Sequence, residues 1–304
     1  MGPDFLYIGC QKAGSRWLYD QLSAHDGFWM PHKEFHYFDG YEAGREIRGG
    51  IAYEARQAEL KAAKERGLLK GLSARKGSRS KPGVTETFRD QIRAGDGGNL
   101  DLDWYASLFR MKENRLSGDI TPDYSALSPA MISLVTSRFP DLKCILFVRD
   151  PVARAWSHAC QAWRTRHGEG AAPQDWSDLA AFLTTERVVA LSYPSRIFTK
   201  WREYVPADRI FVGFFDELAS RPEVLRADVL RFLGAGPAPQ RIQPDFDRKR
   251  ERNRVPCSPD VQRRLAEWFA DELGACATVF GGPATQWSAL HGSPAARRRE
   301  NSSP

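Results

Sequence analysis

Residues 5–18 read Phe-Leu-Tyr-Ile-Gly-Cys-Gln-Lys-Ala-Gly-Ser-Arg-Trp-Leu, and this stretch is the most informative part of the chain. Its first six residues form an apolar run that predicts a buried strand. A turn with Lys12, Gly14 and Ser15 follows, and the amphipathic pattern over 15–24 predicts a helix. Backbone N–H groups at the start of a helix point toward an anion, and a nearby lysine adds positive charge. The stretch therefore predicts an anion-binding turn between a strand and a helix.

The order of lysine and glycine distinguishes this turn from the P-loop of nucleoside triphosphatases. In the P-loop pattern G-x-x-x-x-G-K-[ST] the lysine follows the glycine, whereas Lys12 precedes Gly14. Gly14 allows a sharp turn and a close approach to an anion. Ser15 can serve as the helix N-cap or donate its hydroxyl to a phosphate or sulfate oxygen. Taken alone, the turn is equally compatible with a plain strand-to-helix connection and a surface lysine.

Composition sets broader limits. The 304 residues suffice for one large α/β domain or two small ones. The net charge of +6 suits an anionic ligand, although an ordinary arginine-rich surface explains it equally well. Five cysteines without C-x-x-C spacing indicate a reducing compartment. Without a signal-peptide pattern, or an apolar run near the ~20 residues that span a bilayer, we predict a soluble cytoplasmic protein with no membrane span.

Three more strands are predicted along the chain. Residues 143–149 and 209–215 are strongly apolar, and a short strand begins at Gly118. Helical patterns separate the strands, and this alternation predicts an α/β fold with a parallel sheet covered on both faces by helices. Ligands of such sheets bind outside the carboxyl ends of the strands, where Lys12 and Arg149 fall.

We expect one domain over residues 1–292. The Lys-, Arg-, Gly- and Ala-rich segment 43–100 is interpreted as an insertion or lid within it. The polar, arginine-rich residues 293–304 are predicted to be a disordered tail.

A second group of candidate residues follows the strand 143–149. Arg149 ends that strand, and Ser157 lies two turns into the next predicted helix. Arginine suits bidentate recognition of a phosphate. The residues alone also allow an ion pair between Arg149 and Asp150, and a hydroxyl of Ser157 bonded to its own helix. Arg154 is predicted to face solvent.

Two motifs together resemble the sulfotransferases that use 3′-phosphoadenosine 5′-phosphosulfate (PAPS). Residues 11–18 resemble the 5′-phosphosulfate loop of that family, K-x-G-T-x-x-L, with Ser15 in place of threonine and Gln11 where many cytosolic members have proline. Residues 143–157 resemble its 3′-phosphate motif. The resemblance extends from Phe5 to about Trp287 and is poor over 43–100.

This resemblance implies a P-loop-like central sheet, PAPS as co-substrate and no metal. It also implies that PAPS is bound by residues of the two motifs: Lys12, Ala13, Gly14, Ser15, Arg16, Trp17, Arg149 and Ser157. The resemblance further implies a catalytic role for Lys12.

A third segment, residues 33–39, reads Lys-Glu-Phe-His-Tyr-Phe-Asp. It resembles the K-E-x-H-x-F segment of heparan sulfate and related carbohydrate sulfotransferases. The resemblance implies that Glu34 is the base, that His36 is its support or the alternative base, and that Asp39 lies on the acceptor side. A carboxylate facing a polyanionic cofactor is expected to have a raised pKa. The residues alone also allow a surface loop in which Glu34 pairs with Lys33 or Arg16.

Two weaker resemblances complete the candidate site. Residues 118–124 are similar to the G-E-x-T-P-x-Y segment of these families, which implies that Asp119 and Tyr124 line the acceptor cleft; a structural turn is equally compatible. Arg250, Arg252 and Asn253 match in position a late loop that closes over the nucleotide, although a solvated basic loop fits as well.

The resulting hypothesis is a sulfuryl transfer from PAPS to a hydroxyl or amine on a small molecule or glycan. A carbohydrate or a glycosylated small molecule is the expected acceptor, with no nucleic-acid partner. The alternatives are a non-catalytic protein that binds an anionic glycan or nucleic acid, and a P-loop nucleotide kinase, which the order of Lys12 and Gly14 disfavours.

Overall fold

The structure is a computed structural model, and it describes residues 2–43, 99–237 and 255–292. Apart from its end residues, the predicted insertion at 43–100 lies outside these ranges. The tail 293–304 and the late-loop residues Arg250, Arg252 and Asn253 also lie outside them. The predictions for these three segments therefore remain predictions.

A four-stranded parallel sheet forms the centre of the protein. Its strands are β1 (Phe5–Tyr7), β2 (Gly118–Ile120), β3 (Lys143–Val148) and β4 (Ile210–Phe214), in the order β2-β1-β3-β4. Phe5 lies opposite Gly118 on one side and Lys143 on the other. Since all neighbouring pairs are parallel, the carboxyl ends of all four strands lie at one edge. This edge carries the candidate residues.

The strand β1 ends earlier than the sequence predicts. Regular pairing stops at Tyr7, but the following backbone still bonds to β3, through Ile8 N to Ile145 O at 2.9 Å and Cys10 N to Phe147 O at 2.6 Å. The chain thus leaves the sheet gradually and enters the turn while it is still anchored to the neighbouring strand.

Helices flank the sheet. They are α1 (Ser15–Ser23), α2 (Tyr37–Glu42), α3 (Leu102–Ser107), α4 (Pro129–Arg138), α5 (Pro151–His167), α6 (Trp176–Leu183), α7 (Glu186–Ala190), α8 (Pro194–Arg202), α9 (Phe215–Ser220), α10 (Pro222–Leu233), α11 (Pro259–Trp268), α12 (Ala270–Phe280) and α13 (Ala284–Leu290). Short 3₁₀ turns lie at Arg110–Lys112, Pro122–Ala126 and Ala207–Arg209. The α/β class with a central parallel sheet, predicted from the sequence, is confirmed.

The last three helices, α11 to α13, pack into the same core as the sheet. Trp287 and Leu273 are fully buried, and the ring of Phe269 lies 5.7 Å from that of Tyr193. Trp287 also contacts Phe214 at the end of β4, with 6.2 Å between ring centroids. Within the described ranges, no helix has the length and apolar character needed to cross a membrane.

Candidate active site

The turn after β1 is tight and depends on glycine. Lys12 has φ 70° and Gly14 has φ 111°, both in the left-handed region. A Cβ added to Gly14 would lie 2.8 Å from Leu218 Cδ1, so no larger residue fits without displacement. Ala13 N closes the turn by donating to Cys10 O at 3.3 Å. The turn therefore presents its backbone in one defined conformation.

The helix α1 begins directly at this turn. Gly14, and not Ser15, is its N-cap, so of the two roles predicted for Ser15 the capping role is not the one observed. The first bond inside the helix runs from Leu18 N to Gly14 O at 3.1 Å, which leaves the first-turn N–H groups outside the helical ladder. Arg16 is exposed, whereas Trp17 is buried against the core. This geometry is suited to an anion at the helix start.

Arg149 connects the second motif to the first. Its guanidinium donates from NH1 to the carbonyl oxygen of Lys12 at 2.9 Å and lies 4.3 Å from the ring centre of Phe215. Asp150, its predicted alternative partner, instead accepts from Val152 N at 3.0 Å and lies 2.7 Å from His291 Nε2. The two predicted anion sites are therefore joined by a direct hydrogen bond.

The helix α5 places Ser157 and Arg154 differently. Ser157 is half-buried, and among the described residues its hydroxyl makes no hydrogen bond, so it is not held by its own helix. Arg154 is fully buried and donates to Ser192 Oγ at 2.6 Å, so the prediction that it faces solvent was wrong. Burial lowers the pKa of Arg154 to about 10. Its Nε and NH1 atoms are also buried, and among the described residues they have no hydrogen-bond partner.

Two residues of α5 that sequence reasoning missed lie near Lys12. The ammonium group of Lys12 donates to Gln161 Oε1 at 2.7 Å. His158 has a pKa lowered to about 3, first by burial and then by the positive charges of Arg154, Lys12 and Arg187. The signal for Gln161 was its spacing, since a residue four positions beyond Ser157 lies on the same face of the helix.

The segment after Met30 brings Glu34 beside His36. Both residues have positive φ, 66° and 53°. One carboxylate oxygen of Glu34 contacts Lys33 Nζ, and the other lies 3.8 Å from His36 Nε2. His36 Nδ1 lies 2.9 Å from Asp39 Oδ2. The Glu34 side chain is 36% exposed, so it is accessible to a substrate while it is held from two sides.

The charge of His36 is set by its acidic neighbours. Burial alone would lower its pKa, but the hydrogen bond to Asp39 and the negative charges of Asp39, Asp123 and Asp119 outweigh burial and raise it. A larger share of the imidazole is therefore protonated near neutral pH, and an imidazolium cannot accept a proton. This favours Glu34 over His36 as the base.

Asp119 and Tyr124 do not line a cleft, and the prediction that they do was wrong. Both are fully buried. Asp119 accepts hydrogen bonds from Tyr124 OH at 2.5 Å, from Thr121 Oγ1 at 2.7 Å and from Phe35 N at 3.4 Å. The carboxylate thus holds the Glu34–His36 segment against the end of β2, which is the structural role that the sequence left open.

A cluster of potential metal ligands was not predicted. One ligand atom each of His36, Asp39 and Asp123 lies within 4.8 Å of the others. Asp123 contacts Arg187, and Asp39 is bonded to His36. These two contacts offset most of the negative charge of the two aspartates. Oδ1 of Asp39 is buried and has no partner among the described residues.

The comparisons with known proteins identify the family. A sequence model described as "Sulfotransferase family" matches residues 3–236. The chain belongs to the sulfotransferase family. No curated protein sequence matches the chain.

Solved structures show the same fold. A sulfotransferase from Alicyclobacillus acidocaldarius is similar with a TM-score of 0.58 and 18% identity, covering 94% of this chain and 99% of that one. A sulfotransferase domain from the curacin biosynthetic pathway is similar with a TM-score of 0.51 and 14% identity, covering 89% of this chain and 98% of that one. At these identities, the two structures show that this sulfotransferase shares their fold.

Proposed function

We propose that this sulfotransferase moves the sulfuryl group of PAPS to an acceptor hydroxyl, with PAP (3′,5′-bisphosphoadenosine) as the leaving product. The observation that carries the proposal is the hydrogen bond from Arg149 to the Lys12 carbonyl. This bond holds the Lys12 and Arg149 turns together at the edge of the sheet. A sulfuryl donor with phosphates at both its 3′ and 5′ positions requires two such cationic sites.

The donor would be held by the two motifs. The N–H groups at the start of α1 and the Ser15 hydroxyl suit the 5′-phosphosulfate, because they lie at the positive end of the helix dipole. Arg149 and the Ser157 hydroxyl suit the 3′-phosphate, which distinguishes PAPS from ATP. Arg250, Arg252 and Asn253 remain proposed further contacts.

PAPS supplies the sulfuryl group: its S–O bond to the 5′-phosphate breaks as the acceptor oxygen bonds to sulfur. Lys12 would stabilise the charge that develops on the phosphate oxygen, and its ammonium group would pass from Gln161 to that oxygen. Glu34 would take the proton of the acceptor hydroxyl. The reaction as proposed needs no metal, because the cationic side chains of Lys12 and Arg149 stabilise the negative charge of the donor.

A carbohydrate or a glycosylated small molecule is the proposed acceptor. The support is the carboxylate of Glu34, whose side chain is 36% exposed and lies beside His36. Asp39 lies behind His36 and holds its Nδ1, so its proposed place on the acceptor side is through the imidazole. A polyol offers several hydroxyl donors, and the Glu34 carboxylate can accept from them.

The test is transfer of ³⁵S from labelled PAPS into extracts of the host cell, with identification of the labelled product and EDTA present in parallel. We expect a labelled carbohydrate-containing product, with and without EDTA, and none with Lys12→Ala. Label transfer that requires a divalent metal would contradict the proposed mechanism. An absence of labelled product with a protein that binds PAP would contradict the proposed activity.

A further inference from the structure

A histidine that follows the C-terminal helices contacts the residue next to Arg149. His291 follows α13, outside the segment that matches the sulfotransferase family model. Its Nε2 lies 2.7 Å from Oδ2 of Asp150, the residue after Arg149. The side chains of His291 and Asp150 are only 6% and 13% exposed. A hydrogen bond that is buried from solvent to this extent is strong, and it restricts the orientation of both side chains.

A second hydrogen bond fixes the orientation of this imidazole. Gln262 on α11 places its amide nitrogen 2.9 Å from His291 Nδ1. An amide nitrogen can only donate, so Nδ1 accepts, and the ring proton is on Nε2, where it donates to Asp150. Gln262, His291 and Asp150 form a chain of hydrogen bonds from α11 to the carboxyl end of β3.

Asp150 uses its two oxygens for different purposes. Oδ1 accepts from Val152 N and caps α5, while Oδ2 is bound by His291. Without His291, Oδ2 would lose this partner, and the carboxylate of the residue that follows Arg149 in the sequence would be released. A carboxylate released one residue from Arg149 would compete with a phosphate for the arginine and would repel the phosphate.

The same C-terminal segment is attached firmly around this point. Trp156 on α5 donates to Val255 O at 2.9 Å, and Trp287 Nε1 donates to Asp216 Oδ1 on α9 at 3.3 Å. These two hydrogen bonds hold the C-terminal segment that leads to His291 against α5 and α9.

We propose that His291 is a positioning residue for the 3′-phosphate of the donor, because it holds Asp150 as a helix cap and keeps its charge away from the phosphate. The inference rests on the proposed function, since it assumes that Arg149 binds that phosphate. Its effect should be confined to ligands that carry a 3′-phosphate.

The test compares the affinity for PAP with that for 5′-AMP, which lacks the 3′-phosphate, by isothermal titration calorimetry. In His291→Phe, which retains an aromatic ring but no hydrogen bond, we expect PAP to bind about tenfold more weakly and 5′-AMP to bind unchanged. His291→Gln, whose amide can donate to Asp150, should restore most of the loss. Asp150→Asn combined with His291→Phe should also restore it, because the competing charge is absent. His167→Ala, at an exposed histidine of α5, is the control.

Several results would overturn the inference. One is a His291→Phe protein that is folded and keeps the wild-type ratio of the two affinities; another is an equal loss for both ligands, which indicates a general structural role. If His291→Phe does not fold, Gln262→Leu must show the same selective loss, or the inference is wrong. A wild-type protein with no preference for PAP over 5′-AMP would instead contradict the proposed function itself.

Discussion

Among single residues, Lys12 has the most direct chemical role in the proposed reaction. Lys12→Ala is expected to lower turnover about 100-fold or more, the scale seen when one preorganised stabilising group is removed. Steady-state rates of ³⁵S transfer measure this. Lys143→Ala is the matched control, because Lys143 begins β3 at the opposite edge of the sheet and donates to Phe232 O. Near wild-type turnover in Lys12→Ala would contradict the assigned role.

The assignment of the base depends on Glu34 and His36. Glu34→Gln should abolish transfer and leave the affinity for PAP nearly unchanged, because the amide keeps the shape of the side chain but cannot take a proton. Turnover and PAP titration of the same preparation check this. If Glu34→Gln is active and His36→Ala is inactive, His36 is the base.

The raised pKa of His36 predicts a specific pH dependence of stability. A histidine whose pKa is higher in the folded than in the unfolded state stabilises the fold fully below its unfolded pKa near 6.5. This contribution is lost as the pH rises through the folded value. The free energy of unfolding in urea should therefore differ more between wild type and His36→Ala at about pH 5.5 than at about pH 9. The opposite trend, or one that His167→Ala reproduces, would show that Asp39 does not hold a protonated His36.

At the scale of structural elements, the turn between β1 and α1 depends on the backbone of Gly14. Gly14→Ala should cost about 1–3 kcal/mol of stability and weaken PAP binding, because its φ of 111° is strained for alanine and the Cβ would contact Leu218. Thermal unfolding and PAP titration measure both effects. Gly274→Ala is the control: it lies within α12, and an added Cβ would meet no atom within 4 Å. It should be neutral or stabilising by up to about 1 kcal/mol. A Gly14→Ala protein as stable as wild type would contradict the strained turn.

The elements that the sequence predicted share a simple physical origin. The strands around Tyr7, Ile145 and Val212 are apolar runs that a parallel sheet buries on both faces, so composition alone reveals them. The turn at Lys12 was predictable because an apolar run precedes it and an amphipathic pattern follows it. Helices α6 and α8 were not predicted, although Asp175 caps α6 and Pro194 begins α8, and both are local signals of a helix start.

The functional residues that were missed or misplaced depend on contacts between distant parts of the chain. The burial of Asp119 and Arg154 depends on side chains distant in sequence, such as Tyr105 and Ser192. The contact between Asp150 and His291 joins residues 141 positions apart. No local pattern indicates such contacts, whereas the spacing from Ser157 to Gln161 did contain a readable signal.

For the molecule as a whole, we expect a site for the sulfuryl donor that is formed by the Lys12 and Arg149 turns. This site should be specific for a nucleotide with phosphates at its 3′ and 5′ positions. Isothermal titration calorimetry of the full chain with PAP, 5′-AMP and ATP, in EDTA and in magnesium, tests this most directly. We predict that PAP binds in EDTA, about 100-fold more tightly than 5′-AMP. Equal affinities for PAP and 5′-AMP, or tight binding of ATP only with magnesium, would contradict it.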